Sequence, residues 1–151
     1  GRSEAPTRSR LPCRTPMELA IPSDVQAIER VVDAVVERCV AAEYPRRLCA
    51  LNVPVALTEA LANAILRGNR GAADKQVRVR ACVQADQLVL EVEDEGAGFD
   101  LAECTADPTE ASHLELEGGR GLFLMSRLMD RVERYAPETR GNVVRMTLHR
   151  P

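Results

Sequence analysis

The chain predicts an α+β fold: a two-layer α/β sandwich whose mixed, mostly antiparallel sheet carries helices on one face. Three observations predict it. First, 151 residues, 45% hydrophobic and 28% charged, suit one domain with a sheet and a helical layer around a single core. Second, apolar residues recur at helical spacing in some stretches and alternate in others. Third, the resulting order, β-α-α-β-β-loop-α-β-β, groups strands and helices instead of alternating them as a parallel sheet requires. No internal repeat appears.

Residues 1–16 are polar, with Pro6, Pro12 and Pro16, and read as a disordered tail; residues 17–150 form the domain. Met17 to Ile21 alternates as a short strand. Ser23 is suited to cap a helix from Asp24 to Ala42, with Val25, Ile28, Val32, Val35, Val36 and Cys39 as its stripe. Pro45 interrupts the pattern. A second helix spans Val53 to Arg67, with Pro54 in its first turn and Gly68-Asn69 closing it. Gln76 to Gln84 and Gln87 to Glu93 read as strands joined in a hairpin at Ala85-Asp86. Gly96 to Gly118 lacks periodicity and reads as a long functional loop. A third helix, Leu122 to Asp130, precedes strands at Val132 to Ala136 and Val143 to His149.

Composition removes several classes. A net charge of −3 argues against a nucleic-acid binder, which concentrates basic residues, and the lack of Trp leaves no stacking platform. Cys13, Cys39, Cys49, Cys82 and Cys104 are spread without a CxxC pair, so neither a disulfide framework nor a zinc site is suggested. Cys39 and Cys82 read as small buried hydrophobes. No signal-peptide pattern or membrane-length apolar run is evident, and a reducing cytoplasm is the expected compartment.

Three motifs carry chemistry. Glu59 and Asn63 stand one helical turn apart, largely off the stripe of Val55, Leu57, Leu61, Ala64 and Ile65. An Asn carbonyl oxygen suits Mg²⁺, and a carboxylate one turn away suits a general base. Alone, the pair equally describes a solvated helix face. Asp94-Glu95-Gly96-Ala97-Gly98 leaves a strand; its Asp can accept from a purine amine, and its glycines admit a ligand close to the backbone. Alone, it equally describes a turn. Gly118-Gly119-Arg120-Gly121 precedes a helix, where free N–H groups and the dipole favour phosphate, although a hinge has the same composition. Neither a Walker A motif nor GxGxxG occurs. His113 and His149 read as solvated.

Together these motifs resemble the three boxes of GHKL (histidine kinase-like) ATPases. Thr58 to Asn69 resembles the N box, Asp94 to Phe99 the G1 box, and Gly119-Arg120-Gly121-Leu122 with Met125 and Met129-Asp130 the G2 box. The short chain and compact lid are most similar to the anti-sigma factor serine/threonine kinases. The resemblance implies a Bergerat-type fold, ATP and Mg²⁺ as cofactors, Glu59 as catalytic base and Asn63 as metal ligand. It implies that Asp94 recognises the adenine amine and that Gly96, Gly98, Gly119 and Gly121 admit the nucleotide. Arg67, Gly68, Arg120 and Leu122 complete the implied ATP site. Two positions depart from the pattern: Arg67 stands where His is frequent, and Asn142-Val143 follow Gly141 where Thr is usual.

The implied activity is γ-phosphoryl transfer to a serine of an anti-anti-sigma (STAS) partner, with sequestration of a sigma factor. The implied assembly is a homodimer, without nucleic-acid or membrane contact; the apolar side of the first strand and helix, Leu19, Ile21 and Val31, reads as the dimer surface. Two alternatives are a nucleotide-dependent binding module without catalysis and the ATP-binding domain of a histidine kinase.

Overall fold

The computed structural model describes residues 11–13, 16–69, 74–96, 119–135 and 141–151. Five strands form one sheet in the order β1-β2-β3-β5-β4, with β1 Met17–Pro22, β2 Gln76–Val83, β3 Gln87–Asp94, β4 Arg131–Tyr135 and β5 Asn142–His149. Every pairing is antiparallel, so the parallel component expected of a mixed sheet is absent among the described residues. Hairpin links join β2 to β3 and β4 to β5, and short links of that kind pair strands only in opposite directions.

Among the described residues, three helices cover one face: α1 Ile28–Ala41, α2 Val53–Asn63 and α3 Gly119–Leu128. Alternation along the strands sends Val77, Val79, Leu88, Leu90, Val92, Val144 and Met146 into a core shared with Val31, Val35, Leu57, Leu61 and Met125 of the helices. The opposite face carries charge. Glu91, fully buried, pairs with Arg80 and Arg145 at 3.0 Å each, and Arg80 reaches Glu93 at 2.7 Å. Two flanking strands thus neutralise one buried carboxylate, as burial requires.

Several boundaries differ from expectation for identifiable reasons. Asp24, not Ser23, caps the first helical segment: its Oδ1 accepts from the Gln26 N–H at 2.9 Å, opening a tight turn Val25–Ala27 before α1. Val25 is consequently exposed. Wide turns extend α2 at both ends, Leu48–Asn52 and Ala64–Gly68. Pro54 therefore sits inside a continuous helical run, where the preceding wide turn spares its missing N–H and ring a conventional helix interior. This run, Leu48–Gly68, is 21 residues long with mean hydropathy 1.5, long and apolar enough to cross a membrane, but much of it is packed inside the domain. Ile21 and Val31 are also buried in the core, which removes them from any dimer surface and corrects that expectation.

The structure joins Cys13 to Cys82 in a disulfide, against the expectation that Cys82 is a plain buried hydrophobe. Cys39 does fit that reading. It is fully buried, and burial pushes its thiol up to about 12.

Near the C-terminus, Arg150 ties two elements together. It donates to the carbonyls of Ala42 (2.6 Å), Glu43 (2.8 Å) and Ala85 (2.8 Å), and stacks over Tyr44 at 4.3 Å. The exit of α1 and the β2–β3 turn are thereby held by one side chain. Arg150→Ala is expected to lower stability by about 1–3 kcal/mol, read as a reduced urea midpoint at constant m-value.

Candidate functional site

The site begins at the C-terminal end of α2. Glu59 is half-buried, whereas Asn63 is 8% exposed and its side-chain nitrogen finds no hydrogen-bond partner among the described residues. The sequence reading placed Asn63 off the apolar stripe. It shares a helix face with the buried Ala56 and Ala60, which align with it at helical spacing. A buried amide nitrogen without a partner is costly, so this end of the side chain is available to a ligand. Its oxygen and nitrogen ends exchange by a half-turn about the terminal bond. A hard-oxygen ligand for a divalent cation therefore fits here, with the Glu59 carboxylate one turn away.

Asp94, the last residue of β3, forms the second part. It is 4% exposed and lies among three glycines. A Cβ on Gly68 would overlap the Asp94 carboxylate, and one on Gly141 would overlap the Asp94 carbonyl. A Cβ on Gly96 would strike the Gly68 carbonyl. Gly141 also has φ +88°, which side-chain-bearing residues rarely adopt. The end of α2, the end of β3 and the start of β5 therefore close to backbone contact around one carboxylate. Gly96→Ala is expected to cost about 2 kcal/mol, because backbone rather than a flexible side chain must yield. Thermal unfolding of that variant checks it.

Burial pushes the Asp94 carboxyl above its usual range, and the Gly96 N–H, the positive charge of Arg134 and Asn142 offset this only in part. The Gly96 N–H donates to Oδ1 at 3.0 Å. Asn142 faces Asp94 across the β3–β5 ladder, and hydrogen bonds from its side chain and backbone favour the charged carboxylate. Asn142 is itself buried. Acceptor and donor thus stand side by side in a buried place, the complement of an aminopurine edge.

Asn69, expected with Gly68 to close the second helix, also holds these pieces together. Its Oδ1 accepts from the Glu95 N–H at 2.8 Å, while its Nδ2 donates to Ser23 Oγ at 3.2 Å and the Gln76 carbonyl at 3.0 Å. One fully used amide therefore connects the end of α2, the turn after β1, the start of β2 and the turn after β3. Its place immediately after Gly68 was the available signal, but the sequence gives no hint of its distant partners.

The third part is α3. The helix begins at Gly119, three residues earlier than expected, so Gly119 to Leu122 form its first turn instead of leading into it. Glycine is least costly there because first-turn N–H groups have no partner within the helix. Asn52 Nδ2 donates to the Leu128 carbonyl at 2.7 Å, fixing the end of α3 beside the start of the α2 run. α3 packs against α2. Arg67 is half-buried in the last turn of the same helical run. Gly98, Phe99 and the expected lid, residues 101–118, lie outside the described residues.

Comparison with known proteins defines the class. A family model described as "Histidine kinase-like ATPase domain" matches residues 20–148, and the chain belongs to that family. A solved chain, the mycobacterial sensor histidine kinase MprB, superimposes with a TM-score of 0.52 at 18% identity, covering 89% of this chain and 99% of that one, a likeness of fold.

Curated relatives narrow the likeness to one branch. The chain is 32% identical over 96 residues to the anti-sigma F factor of Clostridium perfringens (strain SM101 / Type A), covering 63% of this chain and 69% of that protein. It is 37% identical over 89 residues to the serine-protein kinase RsbW of Bacillus pumilus, covering 54% and 55% respectively.

Proposed function

We propose that this domain is an ATP-dependent serine-protein kinase of the anti-sigma type. It binds Mg-ATP, transfers the γ-phosphoryl group to a serine of an anti-anti-sigma (STAS) partner, and sequesters a sigma factor while that partner is phosphorylated. The observation that supports this most is the buried Asp94 carboxylate, caged by Gly68, Gly96 and Gly141 and faced by Asn142 across the β3–β5 ladder. A structural role alone does not explain a carboxylate whose burial outweighs the hydrogen bonds made to it. The names of the relatives, anti-sigma F factor and serine-protein kinase RsbW, supply the activity and partner class.

In this reading Asp94 accepts from the adenine amine, and Asn142 donates where a Thr hydroxyl is usual. Gly96 and Gly98 admit the ring and ribose, while Arg67, Gly68, Gly119, Arg120, Gly121 and Leu122 flank the phosphates. Asn63 would hold Mg²⁺, which when bound neutralises triphosphate charge. Glu59 accepts the proton of the attacking serine hydroxyl. The serine oxygen bonds to the γ-phosphorus as the bridging oxygen departs with ADP. The 101–118 segment gates exchange. The domain works as a cytoplasmic homodimer.

The test uses the purified chain, γ-labelled ATP and its STAS partner. Label on a partner serine is the expected result. Nucleotide-dependent partner binding with no transfer would replace the kinase with a sequestering module.

A further inference from the structure

The outer face of the sheet, away from the helices, poses a separate question. Val77, Val79 and Ala81 of β2 enter the helix-covered core, so alternation turns Cys82 to the opposite side. There Cys82 pairs in register with Val89, and Val89 with Thr147, giving a row across β2, β3 and β5. These residues are 0%, 4% and 9% exposed, yet Cys82 and Val89 are not part of the core under the helices. An open sheet face would leave such a row in water.

Part of the cover is visible. Met17 begins β1 and pairs with Ala81, next to Cys82. The chain just before it folds back: Pro12 offers its carbonyl to Gln84 Nε2 at 3.4 Å, and Cys13 is bonded to Cys82 with their Cα atoms 5.9 Å apart. That separation is within the span of a disulfide. The other described cysteines, Cys39 and Cys49, are free thiols buried on the helix side. Burial raises both, leaving little reactive thiolate.

We propose that Cys13 and Cys82 form a redox-responsive strap: joined, they hold the segment before β1 across the outer face of the sheet; as thiols, they release it. The oxidant class is a low-molecular-weight disulfide. The Cys13 thiolate attacks one of its sulfurs and expels one small thiol, leaving a mixed disulfide on Cys13. The Cys82 thiolate then attacks the Cys13 sulfur and expels the second. Two protein thiol hydrogens end on two small thiols, and the protein loses two electrons to the reagent. A small dithiol reverses the exchange. In a reducing compartment such pairs serve as sensors more often than as permanent staples. Closure spans 69 residues, including α1 and α2, so the oxidised chain loses much of its unfolded-state freedom.

The test treats the full chain, in a Cys104→Ser background, with oxidised glutathione, followed by peptide mapping and thermal unfolding. The expected result is a predominant Cys13–Cys82 cross-linked peptide and a Tm higher by on the order of 10 °C, both reversed by dithiothreitol. Cys13→Ser, a change in the segment before β1, is expected to abolish both effects while folding normally. No Cys13–Cys82 peptide, a different internal pair, or a Tm shift that persists in Cys13→Ser would each overturn the proposal.

Discussion

Glu59→Gln is expected to bind ATP as tightly as the natural chain and to phosphorylate its partner roughly a thousandfold more slowly, within the range that a positioned general base supplies. The separation of the two effects is the informative part. Glu59 stands one turn before Asn63 on a helix whose far side is anchored in the core by Leu57 and Leu61. Replacing its carboxylate by an isosteric amide leaves that packing and the nucleotide contacts in place while removing the proton acceptor. Single-turnover transfer measured alongside nucleotide titration resolves binding from chemistry. Full transfer by the variant would remove Glu59 from the mechanism, and loss of binding would make it a nucleotide ligand instead.

Asp94→Asn is expected to weaken ATP binding roughly 50-fold, the range for losing a hydrogen bond to a charged acceptor, while the nucleotide-free protein becomes more stable. The stability gain follows from sign. Because burial raises its folded-state pKa, the Asp94 carboxyl favours folding fully below the ordinary carboxylate range, and that contribution is lost as pH rises through the raised value. Above that raised value the ionised, buried group therefore opposes folding. The stability difference between variant and natural chain should be present near neutrality and close as the pH falls towards about 4, the ordinary Asp value. Urea titrations at several pH values check this, and a variant less stable than the natural chain at pH 7 would contradict the account. A residue that weakens its own fold where a ligand would compensate is typical of binding sites.

The sequence was most legible where one physical signal dominated. Alternation in Gln76 to Glu93 and the helical stripe of Leu57, Leu61 and Ile65 marked the hairpin and the central helix within a few residues. Legibility failed where a distant contact decided the outcome. Ser23 reads as a helix cap, but Asn69, far along the chain, takes its hydroxyl and leaves capping to Asp24. Pro54 lies in the first turn of α2 as expected, but the wide turn that precedes α2 has no sequence signature. Gly141 and Asn69 matter through backbone approach and through a shared amide, neither visible in spacing. Cys13–Cys82 was hidden because the pairing depends on where β1 docks. The chemistry-bearing residues, by contrast, sit in short motifs whose types are restricted by what a nucleotide needs.

The central claim is that the Asp94 cage and the Asn63 end of α2 form an adenine-nucleotide site. Calorimetric titration of the purified chain with ATP in magnesium buffer, paired with thermal unfolding, tests it most directly. Saturable binding that weakens in Asp94→Asn is the result the account predicts. At ATP a hundredfold above Kd, unfolding should be delayed by about 5–10 °C. Neither heat nor a thermal shift with ATP or ADP, from a chain shown to be folded, would contradict it.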